Sequence, residues 1–328
     1  MKIAMIIGGV LLVALVITYF TGPKVPTPTY DMARPRVPSE LETLASSVAQ
    51  REAALPVRED NQARVTFYEG KPKRTKYSVV YLHGFGGSIG DAWPMNQAFA
   101  DSLKANIYYA RWGDHGLKPP HSLVNFTADN AWEEAKEALA IGKRLGHKVI
   151  ILSTSTGGTL ALKLAATYPD DIYALVNLSP NVKDDMPGTW VLNTPWGAEI
   201  AALIGFGDGI REVSFEEPGA EQYFDTAFVA SALVSLQNLV ATTMQDSVFQ
   251  QITCPVLTMY YYKDLFNEDE RVEVDVYDDM HAQFRTPTVA NQLVPLATPE
   301  THFLGSEIMS KDWRTPLRTA LEFIRGLE

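Results

Sequence analysis

Cysteine is nearly missing from this chain: Cys254 is the one thiol in 328 residues. A single thiol forms no intramolecular disulfide and supplies no cysteine-based zinc site. Positive charge is also short, with 28 Lys and Arg against 39 Asp and Glu, a net charge of −11. An acidic surface repels phosphate backbones, so no nucleic-acid partner is expected. Internal repeats and low-complexity tracts are missing too. What remains is ordinary globular composition, 46% hydrophobic and 20% charged. It suffices for one large α/β domain or two small ones.

The N-terminus stands apart. Ile3 to Phe20, "IAMIIGGVLLVALVITYF", carries no charge. As a helix it would span roughly 27 Å, close to the hydrocarbon thickness of a bilayer. Tyr19 and Phe20 stand where an aromatic belt would lie. A cleaved signal peptide is the alternative, but the run is long for one and no A-x-A-like site follows it. Residues 1–22 are therefore expected to be a single-pass membrane anchor, with the membrane as partner. Short N-terminal tails usually stay inside, which puts the domain outside the cytoplasm; Lys24, Arg34 and Arg36 beyond the run do not support that orientation by the positive-inside count. Residues 23–61 read as a Pro-rich linker: "TGPKVPTPTYDMARPRVPSE" holds five prolines, and fixed φ with no donor favours an extended tether. A short amphipathic helix is expected from Ser39 to Arg51.

From about residue 62 to 328 strands and helices alternate. The strand-like runs are "ARVTFYE", "YSVVYLHG", "NIYYARW", "HKVIILST", "DIYALVNLS", "PVLTMYYYK" and "NQLVPLAT". Most are short and apolar on both faces, as buried parallel strands are. "DNAWEEAKEALAIGKRLG" reads as a helix with Asp129 as N-cap candidate and Gly146 at its close. "SKDWRTPLRTALEFIRGL" reads as the last helix. The pattern predicts a mostly parallel sheet flanked by helices. Residues 183–250 break it and read as a helical cap insertion, with apolar content in "EIAALIGFG" and "FVASALVSLQNLVATTM".

Ligands of open parallel sheets bind beyond the carboxyl ends of the strands. Three segments there carry chemistry. In "VIILSTSTGG" a buried strand runs into Ser155 and then a helix. A nucleophile elbow needs small residues two before and two after the serine, here Ser153 and Gly157, because the turn is crowded. The helix N-terminus suits an oxyanion. The plainer alternative is a Ser/Thr-rich turn capping a helix. In "YLHGFGGS", after another buried strand, the backbone N–H of Phe85 can join that of Thr156 in an oxyanion hole. The His83 ring reads as structural, tying down its loop. After "PVLTMYYYK", Asp264 and Asp269 compete as the carboxylate that orients a histidine base. In the order Ser, Asp, His, the base is His281 or His302. His281 lies at helical spacing and reads as a helix-surface residue. His302, in the loop "PETHFLG", can reach back to Ser155.

Together these residues resemble the α/β-hydrolase superfamily, and within it the serine hydrolase branch of monoglyceride lipases and small bacterial carboxylesterases, including serine aminopeptidase-like hydrolases. "LHGFGGS", "ARWGDHG", "STSTGG" and "THFLGSEIMSKDW" match in the family's order over roughly residues 62–328. The family's acid commonly precedes a Val-x-Val-like helix entry; "DERVEV" fits this better than "KDLF", which favours Asp269. The resemblance implies an α/β-hydrolase fold and a Ser155–His302–Asp269 triad that cleaves carboxylic esters through an acyl-enzyme. It implies no metal and no organic cofactor. Ser153, where the elbow usually has glycine, is the departure. An aminopeptidase or amidase using the same triad, or a catalytically silent binding protein on this fold, are the alternatives.

Overall fold

A computed structural model describes residues 2–119, 123–185, 188–205 and 209–328. Among the described residues the strands are β1 (Arg64–Thr66), β2 (Thr75–Leu82), β3 (Asn106–Tyr109), β4 (Gly146–Thr154), β5 (Ala174–Leu178), β6 (Ile210–Glu212), β7 (Ala227–Val229), β8 (Val256–Asp264), β9 (Asn267–Glu268) and β10 (Asn291–Leu296). The α-helices are α1 (Lys2–Phe20), α2 (Leu41–Ala53), α3 (Met95–Ser102), α4 (Ala128–Leu145), α5 (Thr156–Thr167), α6 (Gly197–Gly205), α7 (Ala230–Thr243), α8 (Asp246–Phe249), α9 (Val276–Gln283) and α10 (Arg314–Gly326).

The main sheet runs β1-β3-β2-β4-β5-β8-β10, with β9 paired to β8. Only β1 and β9 are antiparallel to their neighbours. The six parallel strands therefore present their carboxyl ends along one edge. Alternation along each strand feeds two cores. Val80, Leu82 and Ile151 face one side, against Trp132, Leu139 and Leu160 of α4 and α5. Val79, Tyr81, Ile150 and Leu152 face the other, against Phe99 of α3 and Phe323 of α10. Burial on both faces explains why these strands show no polar alternation.

In α4 the buried Ala131, Trp132, Ala135, Ala138 and Leu139 follow the helical repeat, and Lys143 and Arg144 stand in the last turn, where cations favour the helix dipole. Its N-cap is Thr127, whose hydroxyl accepts the Asn130 N–H at 3.1 Å. This corrects the expectation for Asp129, one residue inside the helix. That carboxylate instead accepts the backbone N–H groups of Thr29 and Tyr30, at 2.9 and 2.8 Å. Gly146 does close α4, but it is extended and opens β4.

The proline-rich segment is extended and also held against the domain. Trp132 Nε1 donates to the Asp31 carbonyl at 2.8 Å, and buried Lys136 donates to the carbonyls of Asp31 and Ala33. The helix α2 that follows buries Leu41, Leu44 and Val48. Along α1 the residues from Met5 to Phe20 are exposed. Among the described residues, no helix is long and apolar enough to cross a membrane.

Between β5 and β8 the chain leaves the sheet. This insertion holds α6, α7 and α8 and also an antiparallel pair, β6–β7. Phe206 and Gly207 of its apolar segment lie outside the described residues.

Candidate active site

Ser155 sits between β4 and α5 with φ 52° and ψ −118°. A side chain in that region of backbone space costs about 1–3 kcal/mol and is retained only where the surroundings hold it. They do so here from both sides. The Ser155 N–H donates to the Leu178 carbonyl at 3.0 Å, and its own carbonyl accepts from Gly158 at 2.8 Å and Asn181 at 2.9 Å. A Cβ on Gly157 would overlap the Leu82 carbonyl, and one on Gly158 would meet the Pro180 ring. Both glycines are therefore steric requirements of the turn. Ser153 is accommodated because its side chain stays within the sheet: its Oγ donates to Oδ1 of Asn177, its register partner on β5, at 2.8 Å.

His302, in the loop after β10, is buried with its Nδ1 at 2.8 Å from both oxygens of Asp269. That contact assigns the neutral ring's proton to Nδ1 and leaves Nε2 with its lone pair. Asp269 is almost fully buried. Burial opposes its charge, but the His302 ring and the hydrogen bonds from it and from the Arg271 N–H outweigh burial and hold the carboxyl below the ordinary aspartate value. Asp264, the competing acid, ends β8 and is occupied elsewhere: it accepts from Phe266 N–H at 3.0 Å and Asn267 Nδ2 at 2.8 Å in the β8–β9 turn. His281 lies on α9 as expected but is buried, not on the surface, with Nδ1 at 2.5 Å from Asn291 Oδ1. Asn291, which opens β10, and the Phe284 ring hold it there.

The His83 ring is structural. Its Nδ1 donates to the Gly84 carbonyl at 2.7 Å and its Nε2 accepts from Trp112 N–H at 3.1 Å. Full burial, with His115 nearby, keeps it neutral and pushes its pKa well below the usual histidine value. The loop it anchors carries Phe85. Among the described residues the N–H groups of Phe85 and Thr156 make no hydrogen bond.

Ser155, Thr156, Phe85 and His302 line one cavity of about 580 Å³. The insertion supplies much of its wall, including Leu192, Phe215, Phe228, Leu233 and Leu236; Asn181, Asp184 and Arg271 add polar positions. Asp184 had no sequence signal; burial pushes its carboxyl up to about 6 despite the hydrogen bond from Asn181. The cavity can therefore admit a mainly apolar group beside a serine, an oriented imidazole and two free N–H donors.

The alpha/beta hydrolase family model matches residues 79–305. The chain belongs to that family. Among curated proteins, the protein bem46 of Schizosaccharomyces pombe is 24% identical over 137 residues, a match covering 40% of this chain and 44% of that protein. Less than half of bem46 is thus spanned. Among solved structures, the chain resembles one from work on LipS and LipT, two metagenome-derived lipolytic enzymes, with TM-score 0.66, 16% identity, and 82% of this chain and 99% of that one covered. It also resembles a soluble variant of the monoglyceride lipase of Saccharomyces cerevisiae, with TM-score 0.57, 12% identity and coverages of 81% and 89%. A third is the monoacylglycerol lipase of Paleococcus ferrophilus, with TM-score 0.54, 15% identity and coverages of 80% and 99%. At these identities the likeness shows a shared fold.

Proposed function

We propose that this chain is a membrane-tethered serine hydrolase of carboxylic esters, acting on acyl groups of monoacylglycerol type. The observation that carries the reading is the strained Ser155 turn opening on the same apolar cavity as the His302–Asp269 pair.

In this reading Ser155 Oγ attacks the ester carbonyl while His302 Nε2 takes its proton. Asp269 holds the ring's tautomer and stabilises the imidazolium. The N–H groups of Phe85 and Thr156 receive the oxyanion, a contribution of about 10²–10³ in rate for each such donor. The alcohol leaves with the proton from His302, and water then releases the acid from the acyl-serine by the same steps. The apolar wall from the insertion takes the acyl chain. Helix α1 supplies the tether: its exposed apolar residues between Met5 and Phe20 support insertion into lipid; a short N-terminal tail that stays inside would put the domain outside the cytoplasm.

Hydrolysis of p-nitrophenyl acyl esters and of amino-acid p-nitroanilides by the purified protein tests the chemistry. Ester hydrolysis that vanishes in Ser155→Ala is expected. Anilides preferred over esters would move the reading to an amidase, and no Ser155-dependent hydrolysis of either would end it. Sedimentation with membranes after alkaline carbonate washing tests the tether; release into the wash contradicts it.

A further inference from the structure

One fully buried carboxylate is unused by the proposed chemistry. Asp91 follows the Phe85 loop and sits beneath it, with no exposure to solvent. Its Oδ2 accepts the Gly84 N–H at 2.7 Å. Its Oδ1 accepts the Tyr81 hydroxyl, and that hydroxyl lies 3.0 Å from Thr154 Oγ1. Gly84 directly precedes Phe85, and Thr154 directly precedes Ser155. The loop also wraps the carboxyl closely: a Cβ on Gly87 would lie 2.8 Å from Asp91 Oδ2, and one on Gly84 would lie 3.1 Å from Ser155 Cβ.

From this connected set we infer that Asp91 is a positioning residue, which through Gly84 on one side and Tyr81–Thr154 on the other fixes the Phe85 N–H relative to Ser155. The inference rests on the ester-hydrolase reading of Ser155 and Phe85. The physical reason is that an oxyanion donor acts only when it is held in advance at about 2.7–3.1 Å from where the charge develops. A loop of sequence His-Gly-Phe-Gly-Gly has three glycines of backbone freedom; His83 and Asp225 tie the carbonyls of Gly84 and Gly86, and the Gly84 N–H is held by Asp91. A buried carboxylate accepting from both a loop N–H and a core hydroxyl removes that freedom. Burial pushes the Asp91 carboxyl up to about 7, against the hydrogen bonds from Tyr81 and Gly84 that favour its charge. A fold that keeps so costly a group there has a use for its two acceptors.

The test compares Asp91→Ala, Asp91→Asn and Tyr81→Phe with the wild type on a p-nitrophenyl ester, with kcat per folded molecule set by circular dichroism. Asp91→Ala is expected to lower kcat about tenfold or more with KM within about threefold. Asp91→Asn is expected to recover most of kcat, because its carbonyl still accepts from Gly84 and its amide can donate to the Tyr81 oxygen. A residue that merely supports the fold would lower the melting temperature and leave kcat per folded molecule unchanged, and that result overturns the inference. Should Asp91→Ala not fold, Tyr81→Phe decides: a fall in kcat at constant KM supports the brace, and an unchanged kcat refutes it. Failure here with Ser155-dependent hydrolysis intact removes the brace alone; absence of Ser155-dependent hydrolysis in the wild type removes both.

Discussion

The turn around Ser155 and the insertion above it are built on opposite principles. At the turn, backbone groups on both sides are tied, two glycines are sterically obligatory, and the side chains behind it lie in large continuous cores. The insertion joins the main core through Phe228 and through Ala232, Leu236, Leu239 and Val240 of α7, and adds small clusters beyond it, such as Leu192, Ala230 and Val234, joined by Val25 from the proline-rich segment. Another, of Ala220 and Phe224, closes onto Phe303 beside His302. The difference teaches where each property resides. On the proposed reading, chemistry needs sub-ångström positions and sits on the sheet edge, while choice of acyl group needs only a shaped apolar wall and is left to the insertion.

Substitutions that separate the two regions sharpen this contrast. The largest effect is expected from Asp269→Asn, which leaves His302 in the wrong tautomer and should lower kcat by about 10³–10⁴. Asp264→Asn should stay within about threefold of wild type, since that carboxylate serves only the β8–β9 turn. Equal losses in both would contradict the assignment. Next, Leu236→Trp places bulk on the insertion's wall of the cavity. Over a series of p-nitrophenyl esters it should lower kcat/KM for a twelve-carbon acyl chain about tenfold relative to a four-carbon one. A uniform fall across chain lengths would mean that the wall also sets the chemistry.

Much of this division was legible in the residues, for a physical reason. Five strands, β2, β3, β4, β5 and β8, announce themselves because parallel strands covered on both faces are continuous runs of Val, Ile, Leu and Tyr. The Ser155 turn was legible because small residues must flank it. Ser153 looked like a defect only because its partner, Asn177, is a register neighbour that spacing cannot supply. Asp264, which ends β8, and Asp269 beyond it were separable only by likeness to the family, since "KDLFNED" reads as one loop. The β8–β9 hairpin turns Asp264 outward and brings Asp269 beneath His302. The three-residue strands β6 and β7 are too short to carry a period. Asp91 gave no signal at all, because its partners lie on a strand, a loop and the elbow and meet only in the folded chain.

A smaller effect concerns pH. Asp91 has a folded pKa of about 7, above the unfolded value of about 3.9. Its neutral form is therefore favoured by folding. The cost of ionising it is absent below about pH 4, grows as pH rises, and is complete above about pH 7. Asp91→Asn carries no such cost. Its melting temperature relative to wild type should therefore climb by a few degrees between pH 5 and pH 8. A difference that is flat across that range would contradict the burial of an ionisable carboxyl there.

On the proposed reading, Ser155 is a nucleophile activated by His302. The most direct test treats the folded protein with a fluorophosphonate and maps the adduct by mass spectrometry. Near-stoichiometric modification of Ser155, lost in His302→Ala, is expected. No adduct on folded protein, or an adduct on another serine with Ser155 untouched, would contradict it.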